Sequence, residues 1–111
     1  MLVDVQLAVE QIDAFVADTP TFAAYLADSR TRSAVNWQLA IVGEATNKLR
    51  QENPPIELPS ARQIIGLRNC LVHAYDGIDD GSIWDVTHHH LPPLRAEAYR
   101  RIAEIETSGN S

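Results

Sequence analysis

The stretch TRSAVNWQLAIVGEATNKLRQE, residues 31–52, decides the fold. Its apolar side chains fall into two sets at helical spacing. Ala34, Trp37, Ile41, Ala45 and Leu49 read as the main stripe, and Val35, Leu39, Val42 and Thr46 as a second. A strand would alternate with period two, and no such alternation is sustained here or elsewhere in the chain. A helix with two apolar faces either lies at the centre of a bundle or has one face covered by another chain.

The segments on both sides read the same way. Leu2 to Ala17 places Val5, Ala8, Ile12 and Phe15 three or four residues apart, on one helical face. A short helix should follow, with Thr19 as its N-cap, Pro20 at its first position, and Phe22, Tyr25 and Leu26 inward. Downstream, Ser60 is placed to cap a fourth helix whose Ile64, Leu67 and Leu71 face the core. A last region opens near Ser82 with Ile83, Trp84 and Val86. Pro92 predicts an interruption or kink there, after which Leu94, Ala98, Ile102 and Ile105 resume the pattern. The expectation is one all-α domain over residues 1–111, a bundle of four or five helices with a polar tail from about 107 to 111.

Composition sets further bounds. A chain of 111 residues supports one core, and 45% apolar against 22% charged residues is a folding rather than a disordered balance. Nine basic residues against fifteen acidic ones give a net charge of −6. That charge offers no global attraction to nucleic acid or anionic membrane, so phosphate binding must rest on a local cluster. The single Cys70 cannot form an intramolecular disulfide, and no uncharged run reaches about 18 residues. A cytoplasmic protein without a membrane segment is expected.

The chemistry concentrates in IIGLRNCLVHAYDG, residues 64–77. Arg68 shares a face with Ile65, Val72 and Tyr75, while Asn69 and His73, four apart, form a neighbouring stripe. An arginine, an amide, an imidazole and a phenol thus gather at one helix end beside exposed Ile and Val, as at an interface. Arg68 and His73 lie about 140° apart around an ideal helix. Within one copy both reach one point only if the arginine bends around or the last turn deforms. A two-fold dimer packing this face on itself is the other route, joining two such pairs in one cleft. An imidazole can exchange a proton with a ribose 2′-hydroxyl, and a guanidinium can hold a phosphate and offset growing charge. The competing reading is structural: an arginine and a histidine near a helix C-terminus also suit its dipole.

Other candidates are weaker. His88, His89 and His90 invite a metal reading, but consecutive helical positions diverge by 100° and no Cys/His or Glu-x-x-His pattern completes a set. Cys70, three residues before His73, lacks a third orienting group, and a cysteine beside Leu71 reads as a small hydrophobe. Glu44 reads as a solvated or ion-paired face residue before it reads as a buried acid. Lys48, Arg50, Arg62 and Arg68 give a local positive bias that is able to guide RNA, although Glu52 and Glu57 lie among them.

The order Arg68, four residues, His73, one residue, Tyr75 resembles the signature of HepT-type toxins in the HEPN superfamily of all-helical ribonucleases. Three flanking words agree: Ile41-Val42-Gly43-Glu44-Ala45, Ile64-Ile65-Gly66-Leu67-Arg68-Asn69, and Ile83-Trp84. The likeness runs from about residue 2 to residue 106. It implies a metal-independent endoribonuclease toxin without a cofactor, dimerising through the motif helix. Arg68 and His73 would be its catalytic pair and Asn69 a polar helper. It also implies an MntA-type nucleotidyltransferase antitoxin that transfers AMP onto Tyr75. Ala74 and Asp76 depart from the acidic and aromatic residues that family members often carry beside the histidine and tyrosine. That departure bears on partner recognition. The alternative within the family is a HEPN subunit that binds a nucleotidyltransferase without cutting RNA.

Overall fold

The computed structural model describes residues 1–73 and 79–109. Among them the chain forms helices α1 (Leu2–Ala17), α2 (Phe22–Ala27), α3 (Ser29–Arg50), α4 (Ala61–His73), α5 (Asp80–Asp85) and α6 (Leu91–Gly109). A π turn, Val86–His90, joins α5 to α6 in one continuous rod, so five helical rods make up the bundle. No strand occurs among the described residues, and none of their helices is long and apolar enough to cross a membrane. The expected all-α bundle is the architecture found.

Helix α3 is central: α1 packs along one flank, α4 doubles back along another, and α2 crosses its start. The core joins Val5, Val9 and Ile12 of α1 to Val35, Leu39 and Val42 of α3. Ile64, Ile83, Leu91, Leu94 and Ala98 close it from the other side. Each Val, Leu or Ile among them contributes roughly 1.5–3 kcal/mol on leaving water.

The two stripes of α3 rank in the reverse of the expected order. Val35, Leu39, Val42 and Thr46 are all buried, together with Ala45 and Leu49, whereas Trp37 is 70% exposed. Thr46 is able to go inward because its hydroxyl donates to the Val42 carbonyl at 2.7 Å. Centrality, the first of the two explanations for a doubly apolar helix, holds for α3. Trp37 stays uncovered.

Three helix starts also differ from expectation. Thr21, not Thr19, caps α2, accepting from the Ala24 amide at 3.1 Å. Thr19 is buried and closes α1 instead, its amide bonding to the Val16 carbonyl at 3.0 Å. With fewer than two turns, α2 turns only Tyr25 fully inward, and Phe22 and Leu26 remain partly exposed. Helix α3 begins two residues early because Asp28 caps it, accepting from the Thr31 amide at 3.0 Å. Ser60 does stand immediately before α4, but with φ at +61° its hydroxyl turns away from the helix and meets His90 Nδ1 at 2.8 Å. The residues expected as a polar tail from 107 begin inside α6, which continues to Gly109.

The kink ahead of Pro92 is the π turn. Its widened hydrogen bond runs from the Leu91 amide to the Val86 carbonyl. Pro92 and Pro93 follow directly, and having no amides to donate they break the hydrogen-bond ladder of the rod at this point.

Candidate active site

Helices α3 and α4 meet at Gly43. A β-carbon on residue 43 would lie 2.3 Å from Arg68 Cβ, 2.8 Å from Arg68 Cγ and 3.2 Å from the Ile64 carbonyl oxygen. The arginine stem therefore lies directly on the glycine. The two residues that precede this contact, Val42 and Leu67, turn toward the core. The two that follow it, Glu44 and Asn69, are exposed. Because the helices run antiparallel, the same rotation carries Glu44 and Asn69 to one outward side of the seam.

Arg68 is half-buried at its stem, and its guanidinium bends round to this outward side. Its Nη1 donates to Asn69 Oδ1 at 3.2 Å, while Nε is buried with no partner among the described residues. The arginine thus bends toward the Asn69/His73 stripe within one copy. Arginine has only donors, so the Asn69 atom facing it must be the carbonyl oxygen, and the amide NH2 points elsewhere. Arg68 and Asn69 thus offer a guanidinium and an amide donor side by side. His73, the last described residue of α4, is exposed one turn beyond Asn69 on the same stripe. Ile65 is half-buried and Val72 is 43% exposed beside them. Tyr75, the expected site of adenylylation, lies outside the described residues.

Sequence reasoning did not single out Asn36. It lies on the α3 line Asn36, Ala40, Gly43, Asn47, the small and polar strip that faces α4. Seven residues before Gly43, it stands about 10 Å along the seam, level with the end of α4 that carries His73. Its Oδ1 is buried without a described partner. The available signal was the strip itself, four small or polar residues at helical spacing between two apolar faces.

The remaining candidates separate. Glu44 is exposed and pairs with Lys48 at 3.2 Å, and Arg50 pairs with Glu57 at 3.1 Å, so half of the local positive bias is neutralised. Cys70 is exposed rather than packed as a small hydrophobe. His88 stacks on Trp84 with ring centroids 4.0 Å apart, and its Nδ1 lies 2.8 Å from the Trp84 carbonyl oxygen. His89 faces Asp85 at 3.7 Å, and His90 faces Ser60. The first of the three rings is thus held on Trp84, and the last on Ser60. Among the described residues no three His, Cys, Asp or Glu side chains gather as a metal set.

Comparison with known proteins decides the family. The model of the family described as ribonuclease HepT-like matches residues 5–101. The chain belongs to the HepT-like ribonuclease family. A Thermococcus cleftensis protein named “Probable ribonuclease HepT” is 32% identical over 100 residues, which is 86% of this chain and 87% of that one. Two Methanocaldococcus jannaschii proteins bear names that begin “Putative RNase”. One is 33% identical over 88 residues, covering 78% of this chain and 72% of its own. The other is 25% identical over 109 residues, covering 95% and 90%. No solved structure gives a significant match. Within this HepT-like chain, the region matched by the family includes Gly43, Arg68, Asn69 and His73.

Proposed function

We propose that this HepT-like chain is a metal-independent endoribonuclease, the toxin of a HepT/MntA-type pair. The observation that carries the reading is the bend of Arg68 onto Asn69, on the outward face whose next turn bears His73. In the proposed reaction His73 removes the proton from a ribose 2′-hydroxyl. The 2′-oxygen attacks the adjacent phosphorus, the bond from phosphorus to the 5′-oxygen breaks, and the imidazolium of His73 returns its proton to that leaving oxygen. The products are a 2′,3′-cyclic phosphate and a 5′-hydroxyl. The Arg68 guanidinium and the Asn69 NH2 would receive the non-bridging oxygens, where negative charge grows. All of this chemistry is assigned to side chains.

The chain acts in this reading as a homodimer in the cytoplasm. Ile65 and Val72 offer a second copy an apolar foothold beside Arg68, and a two-fold contact there joins two Arg68/His73 pairs in one cleft. The partner is an MntA-type nucleotidyltransferase that places AMP on Tyr75, two residues beyond His73. The added phosphate would pair with Arg68 and occupy the place of the RNA.

The test is RNA cleavage in excess EDTA by wild type and His73→Ala, after intact-mass measurement has excluded prior modification. Cleavage by wild type alone, ending in a cyclic phosphate and absent on a 2′-deoxy substrate, is expected. Unmodified dimeric wild type that leaves RNA intact would overturn the nuclease reading in favour of a non-catalytic nucleotidyltransferase-binding subunit.

A further inference from the structure

We infer that the outward face of α3 and α4 is a track for single-stranded RNA, with Trp37 as a base-stacking residue and Arg30 and Arg62 as phosphate contacts beyond the Arg68/Asn69 pair. The reading depends on the proposed function only for the identity of the strand.

The first ground is the fate of the positive charges. The chain has nine Lys and Arg residues. Arg32, Lys48, Arg50, Arg95, Arg100 and Arg101 are each in an ion pair with a described carboxylate. Arg30, Arg62 and Arg68 make no such pair, and these three share one side of the molecule. Arg30, Trp37 and Glu44 are seven residues apart on α3, two turns each, and so stand in one line on the outward side already fixed by Glu44. Arg62 and Asn69 are likewise seven apart on α4, and Asn69 holds the Arg68 guanidinium. Glu44 is the carboxylate in the first line, and Lys48 neutralises it.

The second ground is Trp37. It is 70% exposed, and its neighbours one turn away are Ser33, Ala34, Ala40 and Ile41, mostly small side chains that leave the indole standing clear. With Gly43 set against the turn between Ile64 and Arg68, Trp37 comes level with about residue 72 of α4, beside the His73 end of the site. From Arg62 to the level of Arg30 is about 25 Å along the seam. Cation, guanidinium pair, indole and cation follow one another along it.

The third ground is the net charge of −6, which denies the chain a general attraction to phosphate. Stacking on an aromatic face is indifferent to that charge and to base identity, so it supplies the affinity that three arginines lack. With a second copy seated on Ile65 and Val72, Arg30 and Trp37 stand on the α3 flank of the contact and Arg62 at its α4 end.

The experiment is fluorescence anisotropy of a labelled, uncleavable 2′-O-methyl oligoribonucleotide, with oligomeric state measured on the same samples by light scattering. Trp37→Ala is expected to weaken binding roughly 5- to 150-fold, and Trp37→Phe much less. Arg30→Ala and Arg62→Ala should each lower the slope of log affinity against log salt by about 0.7. Unchanged affinity in Trp37→Ala, or loss of the wild-type oligomer in that variant, overturns the track; the second result would make Trp37 an interface residue between copies. Wild type that binds in this manner but never cleaves RNA would remove the nuclease reading and leave the track standing.

Discussion

Arg68 rests on Gly43 so closely that no other residue at position 43 leaves the arginine where it is: the nearest contact would be 2.3 Å. One short word on α3 therefore sets the position of the proposed phosphate ligand on α4. Gly43→Ala should force the helices apart. Overpacking of this kind costs about 1–3 kcal/mol, and thermal unfolding should show it as a fall of roughly 4–8 °C per kcal/mol.

His73 is exposed and makes none of the side-chain hydrogen bonds described for the fold. His73→Ala should leave the unfolding midpoint within the scatter of ordinary surface substitutions, about ±0.5 kcal/mol. RNA cleavage should fall by roughly 100-fold or more, the usual share of a positioned acid or base. A loss of several kcal/mol in stability with activity retained would make His73 a structural helix-end residue.

Asn69 separates charge from hydrogen bonding. Asn69→Asp keeps an acceptor for Arg68 Nη1 but removes the NH2 and adds a negative charge to a phosphate site. It should therefore damage RNA cleavage more than Asn69→Ala does. The two initial rates, measured at equal enzyme concentration, decide the point; the opposite order would mean that Asn69 serves only to hold the arginine.

Acid should loosen the bundle through its helix caps. Hydrogen bonds from Thr31 hold the Asp28 carboxyl below its ordinary value, and the Ser82 hydroxyl with the Gly81 amide does the same for Asp79. The Arg100 guanidinium draws Glu97 down to about 2. A carboxyl with a lowered folded-state pKa contributes stability that is complete above its unfolded value and is lost as pH falls through the folded one. Midpoints should therefore hold at neutral pH and drop below about pH 4. Asp28→Asn, which keeps a competent cap without the titration, should flatten that drop.

Tyr25 behaves differently. It is fully buried, its hydroxyl has no described partner, and burial pushes its pKa up to about 12. Tyr25→Phe removes an unsatisfied polar group without changing ring packing on Trp84, 5.4 Å away between centroids. Denaturant unfolding should show a variant as stable as wild type, or more stable by about 1 kcal/mol.

Much of this was legible from spacing. Val5, Ala8, Ile12, Ile64, Leu94 and Ala98 are buried as their periodicity requires, and Pro92 marks the end of a real distortion. The motif helix and the Arg68–Asn69–His73 grouping were readable in the same way. Three things were not. Periodicity alone cannot say which of two apolar faces wins, and the flanking helices chose Val35 and Leu39 over Trp37. Thr19, Thr21 and Ser60 are all plausible caps by residue type, and only the backbone direction around Pro20 and the reach to His90 distinguish them. The bend of Arg68 depended on a contact across the seam between residues 25 positions apart, which no local pattern contains.

The π turn carries one more consequence, for register. Buried positions along the rod run Ile83, Val86, Thr87, Leu91, Leu94 and Ala98, and the hydrogen bond from the Leu91 amide to the Val86 carbonyl spans five residues where an α-helix spans four. The widened turn absorbs the extra residue and keeps both ends of the rod in phase with one core. Removing a single residue from 86–90 would turn that bond into an ordinary four-residue α turn and leave α6 on its present face. Leu94 and Ala98 would then stay in the interior. The three histidines occupy the one stretch of this rod that can lose a residue without turning the core outward.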